Sequence, residues 1–561
     1  MVGFIRFASV MILTGLCCAQ LDVDSQAADK YLTVKVERGR IRGEILDVDG
    51  AKVLAFRGIP FAAPPVGDLR WRPPQPVKPW KGVRECLRYA PACLQPPGLA
   101  YGFAFKDQSE DCLYLNIWTA ARDEKEKRPV MVWIHGGGNT IGGASAPVYD
   151  GRYFAAAGVV LVSIQYRLGA FGYLAHPALT AEAKQRDGRE ASGNYGLMDQ
   201  IAALKWVRAN IGSLGGDKDC VTIFGESAGA ANVTHLMASP IAKGLFHRAI
   251  AESGYFGENT PRLNRSSGLK NPSAHQDGIE FARRLGVSGE DAQAIEALRA
   301  RPAERLLSVP VAIGTMVGGG AAGERAFRFG PVVDGYILPR SPGEVWAAGQ
   351  MHRVPLIAGS NLDDGSVFSR ANPIKGIVGY RLVLRTIFGS SFDRALQLFP
   401  AKSDEEVGAA VHRLITLMSF RAPARRLVRW IEAAGGDAWL YHFSRNPRRG
   451  QAAGDGVIHG LEIPYVFNTL VSLGDATDKA IARDMLQRWV NFARDGNPSG
   501  KAGSTARMNP LWSKYRKDED QHLEFADRIR VEAGLDREAC DLLDQVAARS
   551  LPESAGEMSR R

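Results

Sequence analysis

Short runs of apolar, β-branched residues punctuate the middle of the chain at Val130 to His135, Val159 to Tyr166, Val221 to Phe224 and Pro355 to Gly359. Runs of this length without a polar face read as strands buried on both sides. Arg248 to Glu252, Trp439 to Phe443 and His522 to Phe525 extend the series, and Tyr114 to Thr119 precedes it. Near the start, Tyr31 to Arg42 and Lys52 to Phe56 alternate instead, the pattern of antiparallel strands with one wet face. The run from Phe56 to Pro65 is rich in Pro and predicts a surface turn. Between the apolar runs, Asp199 to Asn210 and Ala230 to Met237 place apolar residues at helical spacing. Strands alternating with helices predict an α/β fold, a single domain over residues 30–550 whose mostly parallel sheet is wrapped by helices on both faces. The stretch Gly254 to Ala322, richer in Gly, Asn and Ser, predicts helical insertions over the C-terminal edge of the sheet, where sites of such folds lie.

Composition narrows the class. Of 561 residues, 45% are hydrophobic and 23% charged, which suits a large buried core and excludes a disordered or multi-span membrane chain. Met1 to Arg6, apolar Phe7 to Leu16 and small residues up to Ala19 predict a signal peptide over residues 1–19. That apolar stretch falls short of the roughly 20 residues a bilayer span needs, so the expected destination is secreted or periplasmic, with no stable membrane insertion after cleavage. Cleavage leaves Cys86, Cys93, Cys112, Cys220 and Cys540, an odd set in which at least one thiol is free or paired between molecules. The formal charge of +10 comes from scattered Lys and Arg with no nucleic-acid motif, so a solvated basic surface is expected and no nucleic-acid partner. Residues 551–561 form a short polar tail.

Gly225-Glu226-Ser227-Ala228-Gly229 follows the apolar run ending at Phe224 and opens a helical run. This is the Gly-x-Ser-x-Gly elbow, in which a sharp strand-to-helix turn lifts a serine hydroxyl out of the sheet. The glycines allow close packing, and the N–H of Ala228 at the helix start can stabilise a developing oxyanion. Serine needs a base and the base an orienting acid, and in this fold class they follow in the order Ser, Asp or Glu, His. Asp363 and Asp364 lie in the loop after Pro355 to Gly359, and His459 lies in a glycine-flanked loop further on. Taken singly, an Asp or His is more often a turn or core residue; in this order, in loops, behind an elbow, they read as a triad. His135 fits worse because it precedes a glycine loop, His412 lies in a helical pattern, and His442 lies within a strand. Gly136-Gly137-Gly138 directly after a strand can turn two backbone N–H groups inward, an oxyanion hole in waiting.

These motifs resemble the type-B carboxylesterase and cholinesterase family of α/β-hydrolases over nearly the whole chain. The resemblance rests on the elbow and glycine loop together with GIPFAAPPVGDLRWRPP from Gly58, SEDCLYLNIW from Ser109, FGPVVDG from Phe329 and GVIHGLEIPYVF from Gly456. It implies an α/β-hydrolase fold and acyl transfer through Ser227 as nucleophile, His459 as base and Asp364 as acid, where most members carry Glu; Asp363 remains a competitor. It further implies Gly137, Gly138 and Ala228 as oxyanion donors, Glu226 as a buried structural glutamate, Ser253 as a hydrogen-bonding partner near the triad, and a Cys93–Cys112 disulfide loop at the gorge entrance. Between those cysteines stand Tyr101, Phe103 and Phe105 but no Trp, so specificity for choline esters is not expected. Phe327 and Phe329 resemble acyl-pocket positions. The implied enzyme is a serine carboxylesterase acting on small-molecule esters, with no metal or organic cofactor. Amide or carbamate cleavage, or hydrolysis of anionic polycarboxylate esters drawn by the basic charge, would use the same triad. A noncatalytic adhesion or binding protein is the rival from another class, and the intact Ser227, Asp364 and His459 argue against it.

Overall fold

Alternate residues of one strand explain the architecture. In Arg128–Ile134, Val130, Val132 and Ile134 join one core cluster while Met131 and Trp133 join a second. Val160–Ile164 divides the same way, with Val160, Val162 and Ile164 on one side and Leu161 on the other. Strands apolar on both faces require cover on both faces, which only a sheet between two helical layers supplies.

The computed structural model describes residues 32–98, 102–254, 260–266, 272–311, 326–370, 374, 376–447, 456–470, 474–502 and 508–549. The expected signal peptide, the polar tail and Tyr101 lie outside them. The central sheet has 11 strands. In chain order they are β1 Glu44–Val48, β2 Ala51–Pro60, β3 Tyr114–Thr119, β4 Arg128–Ile134, β5 Val160–Ile164, β6 Gly216–Glu226, β7 Arg248–Glu252, β8 Leu356–Asn361, β9 Ala438–Phe443, β10 Gln521–Phe525 and β11 Ile529–Ala533. Across the sheet the order is β1-β2-β3-β5-β4-β6-β7-β8-β9-β10-β11. Pairing is parallel from β5 to β10 and antiparallel at both flanks. This is the α/β-hydrolase arrangement.

Five helices position the site: α1 Tyr195–Asn210, α2 Ala228–Ala238, α3 Val407–Thr416, α4 Ala422–Ala433 and α5 Ala476–Asp495. Side chains of α1, α2 and α4 join the cluster on one face of the sheet and those of α5 the cluster on the other. Almost every residue of α2 is buried. Its small side chains, from Ala228 to Ala231, let it lie directly against the strand it follows. A third cluster, including Tyr380, Leu384, Val411, Leu414 and Phe420, forms a helical layer beside α3.

One expectation needs correction. The Pro-rich segment placed in a surface turn is in part a strand, because β2 continues through Gly58, Ile59 and Pro60. Ile59 and Phe61 are buried, and burial of two large apolar groups outweighs the turn preference of the neighbouring prolines. A register irregularity between Phe56 and Ile59 absorbs the mismatch. Short alternating β1 and exposed β11 were not anticipated. Of the expected insertions, the described part contains helices Ala274–Arg284, Ala292–Arg299 and Ala303–Leu307.

Candidate active site

The C-terminal ends of neighbouring parallel strands deliver the chemistry. β6 ends at Glu226, and Ser227 turns the chain with φ 56° and ψ −123° before α2 begins at Ala228. A non-glycine residue at positive φ carries strain that the surroundings must hold in place. The Ser227 N–H donates to the Glu252 carbonyl at the end of β7, 2.9 Å away. Glycine is required nearby: a Cβ on Gly229 would stand 2.0 Å from the Ile134 carbonyl oxygen. The elbow is thus wedged between β4 and β7, with Ser227 only partly buried.

His459 approaches from the loop beyond β9. Its Nδ1 lies 2.9 Å from Asp364 Oδ1. Asp364 is fully buried, and its Oδ2 accepts from the Asn361 N–H at 2.6 Å and from Ser253 Oγ at 3.0 Å. Three partners on one carboxylate hold it in a single rotamer. Asp363 faces elsewhere, accepting from the Val457 N–H at 2.8 Å with His412 Nε2 at 3.7 Å. The Phe368 and Phe420 rings lie 5.1 and 4.7 Å from the imidazole centroid, and Gly365 N–H donates to Thr416 Oγ1 on α3 at 2.9 Å. Packing and hydrogen bonding together fix the histidine loop against the aspartate loop.

The imidazole has a second carboxylate. His459 Nε2 lies 3.1 Å from Glu226 Oε1, the residue preceding Ser227. Burial alone pushes the imidazole down, but the charges of Glu226 and Asp364, the Asp364 hydrogen bond and the charge of Glu462 prevail, raising it to about 9. Glu462 is held by Asn361 Nδ2 and is itself raised to about 8 by burial and by the neighbouring Glu226 and Asp364. Glu252, which accepts from Trp489 Nε1 at 2.7 Å, is raised well above the usual carboxylate range by burial and by Glu462. Sequence reading passed over Glu252 and Glu462; the local signal for Glu462 is its place three residues after His459 in the same turn.

The glycine loop after β4 faces the elbow. No described residue accepts a hydrogen bond from the N–H of Gly137 or Gly138, and Ala228, at the first position of α2, carries an N–H without a helical partner. Asn139 anchors the loop: its N-terminal neighbours are glycines, its carbonyl accepts from Gly169 N–H at 2.7 Å, and its Oδ1 accepts from Asn232 Nδ2 at 2.8 Å. His135 stacks on Tyr166 at 4.4 Å and is lowered to about 4 by burial, so it is neutral and serves packing. The Cys93–Cys112 disulfide is formed, and Cys86, Cys220 and Cys540 are free. Phe327 and Phe329 stack on each other with centroids 6.0 Å apart and pack edge-on against Phe281, a buried aromatic cluster. Among the described residues no group of His, Cys, Asp and Glu could hold a metal ion, and no helix is long and apolar enough to cross a membrane.

Comparison with known proteins places the chain. Residues 30–543 match the family described as "Carboxylesterase family". Fumonisin B1 esterase of Sphingopyxis macrogoltabida is 37% identical over 493 residues, covering 85% of this chain and 84% of that protein. Liver carboxylesterase of Sus scrofa is 34% identical over 568 residues, covering 93% and 94% respectively.

Proposed function

The chain belongs to the carboxylesterase family and is a carboxylic ester hydrolase; from that premise we propose that Ser227 is its nucleophile, His459 its base and Asp364 the acid that orients the base. Two observations support this reading: the 2.9 Å contact of His459 Nδ1 with Asp364, and the positive φ at which Ser227 ends its strand. His459 takes the hydroxyl proton at Nε2 as Ser227 Oγ forms a bond to the ester carbonyl carbon. The carbonyl oxygen becomes an oxyanion held by the N–H groups of Gly137, Gly138 and Ala228. The tetrahedral species expels the alcohol, which takes the proton from His459, and leaves an acyl-serine. Water then attacks under the same base and releases the acid and free Ser227.

Asp364 fixes the proton on Nδ1 of the neutral imidazole and leaves the lone pair on Nε2, the atom that Glu226 Oε1 approaches at 3.1 Å. Glu226 adds a negative charge beside the imidazolium that forms. The test is Ser227→Ala assayed on a short-chain nitrophenyl ester: kcat should fall on the order of 10^6-fold, and a fluorophosphonate should label Ser227 stoichiometrically in the native enzyme. Near-native turnover by Ser227→Ala would overturn the assignment. A narrower substrate reading draws on the net charge of +10 and on the fumonisin B1 esterase relative: anionic polycarboxylate esters and fumonisin B1 join simple esters in the first substrate panel. Matched ester and amide pairs decide between ester and amide preference. Export is proposed from the N-terminal pattern, and the disulfide supports an oxidising compartment; cell fractionation checks it.

A further inference from the structure

Gln95 lies two residues beyond Cys93, on the disulfide loop and outside every motif of the sequence. Its side chain is buried and its amide is spent on backbone. Nε2 donates to the Gly142 carbonyl at 2.8 Å and to the Cys93 carbonyl at 3.0 Å, while Oε1 accepts from the Gly142 N–H at 2.8 Å. The two-way bond to Gly142 mimics one rung of a β-ladder and fixes that peptide in both position and direction.

Gly142 in turn supports the glycine loop. It stands at φ 111°, and a Cβ there would meet the Gly136 carbonyl oxygen at 2.6 Å and His135 Nδ1 at 2.7 Å. The next turn is equally tight: the Gly137 carbonyl accepts from the N–H groups of Thr140 and Ile141 at 3.1 and 3.0 Å. The loop therefore folds back on itself, with residues 141 and 142 packed directly behind residues 136 and 137. Asn139 holds its inner side through Asn232 and Tyr173. From the disulfide loop the polar tether is Gln95, with Phe105 of the same loop packed against Gly143, while Gln165 Oε1 accepts from the Ala144 N–H at 3.2 Å further along.

Gln95 is itself held. Its N–H donates to Gln108 Oε1 at 3.1 Å, Gln108 Nε2 donates to the Phe105 carbonyl at 2.7 Å, and Ala92–Cys93 pairs in parallel with Gln108–Ser109. The disulfide between Cys93 and Cys112 closes this small unit.

We propose that Gln95 is a positioning residue for the oxyanion hole, transmitting the rigidity of the Cys93–Cys112 loop through Gly142 to the N–H groups of Gly137 and Gly138. The inference rests on the oxyanion role proposed for those glycines. Oxyanion donors act because they are aimed before charge develops, and a displacement of about 1 Å costs roughly 100-fold in rate. A backbone tether two residues from a covalent cross-link is a means of preventing that displacement. A purely structural role makes a different forecast: a side chain that only satisfies buried backbone lowers the melting temperature when removed but leaves kcat per folded active site unchanged.

The test compares Gln95→Leu, which keeps bulk and removes all three side-chain hydrogen bonds, with native enzyme on a short-chain nitrophenyl ester, rates being normalised by fluorophosphonate titration. We expect kcat to fall about 10 to 100-fold with KM little changed and the acid limb of the pH profile in place. Affinity for a trifluoromethyl ketone, whose adduct resembles the tetrahedral intermediate, should fall by the same factor. If Gln95→Leu does not fold, Gln95→Glu keeps the acceptor for Gly142 N–H, sets a carboxylate against its carbonyl, and should show the same pattern. A second arm removes the disulfide with Cys93→Ser and Cys112→Ser; in that background Gln95→Leu should cost less than in the native chain. Native kcat in folded Gln95→Leu, a kcat loss without loss of ketone affinity, or strictly multiplicative effects of the two changes would each overturn the proposal. Should Ser227→Ala stay active, the underlying site reading fails; an inert Ser227→Ala beside an unimpaired Gln95→Leu removes this inference alone.

Discussion

Replacing Asp364 by Asn preserves shape and removes one charge and one acceptor, so its effect can be worked from the contacts. The carboxylate has two tasks, Oδ1 facing His459 Nδ1 at 2.9 Å and Oδ2 receiving the Asn361 N–H at 2.6 Å and Ser253 Oγ at 3.0 Å. Asn has a single carbonyl to serve both. Turning it toward His459 sets the amide NH2 against the Asn361 N–H and leaves that buried donor unpaired, at a cost of about 1–3 kcal/mol. Turning it toward Asn361 and Ser253 satisfies both donors and sets NH2 against His459 Nδ1. The second arrangement wins, and it forces Nδ1 to accept. The imidazole proton then moves to Nε2, the atom that has to take the serine proton.

The expected result is a fall in kcat on the order of 10^4-fold, the loss that a wrong tautomer causes in a serine triad, or about 5.4 kcal/mol of barrier. Rates on a nitrophenyl ester from pH 6 to 10, normalised to titrated sites, measure it. Raising the pH should not restore the rate, because the fault is the proton's place and not its affinity. Asp363→Asn, whose carboxylate accepts from the Val457 N–H and faces His412 instead of His459, should stay within a few-fold of native. A loss below tenfold in Asp364→Asn, or an equal loss in Asp363→Asn, would refute the reasoning.

Two further perturbations follow from the same geometry. The charge of Glu226, 3.1 Å from Nε2, does most to raise His459 against the effect of burial, so Glu226→Gln should lower the imidazole from about 9 and move the acid limb of kcat/KM to lower pH; the direction follows because the base form exists only above the imidazole pKa, and an unmoved or upward-shifted limb would contradict it. Gly229→Ala would press a methyl group to within 2.0 Å of the Ile134 carbonyl oxygen, a backbone atom with nowhere to go; strain of several kcal/mol should reduce the yield of folded protein and its melting temperature, whereas an unchanged Tm with full activity would show that the elbow has slack.

Much of the site was readable as order along the chain. An elbow, a glycine loop and an Asp before a His in strand-end loops are local patterns whose spacing reflects local chemistry, and they lead to Ser227, Gly137, His459 and the pair Asp363 and Asp364 as the proposed site. What was not readable was contact across distance. Asp363 and Asp364 are neighbours with the same side chain, and only the direction in which β8 ends turns one toward His459 and the other toward Val457. Gln95 had no motif to mark it, since a glutamine on a loop is ordinary until a peptide 47 residues away is found against it.

The sequence by itself determined the α/β class, through apolar runs with no polar face; the family, through several separated motifs; and the chain order of the groups proposed to react. Each depends on backbone preference or side-chain type, which are properties of short segments. The tertiary structure alone decided that Glu226 faces the imidazole, that Glu252 and Glu462 lie buried nearby, and that the disulfide loop grips the glycine loop through one amide. Those are matters of electrostatics and rigidity in a dry interior, where the energy depends on which groups remain within a few ångströms once water has been excluded.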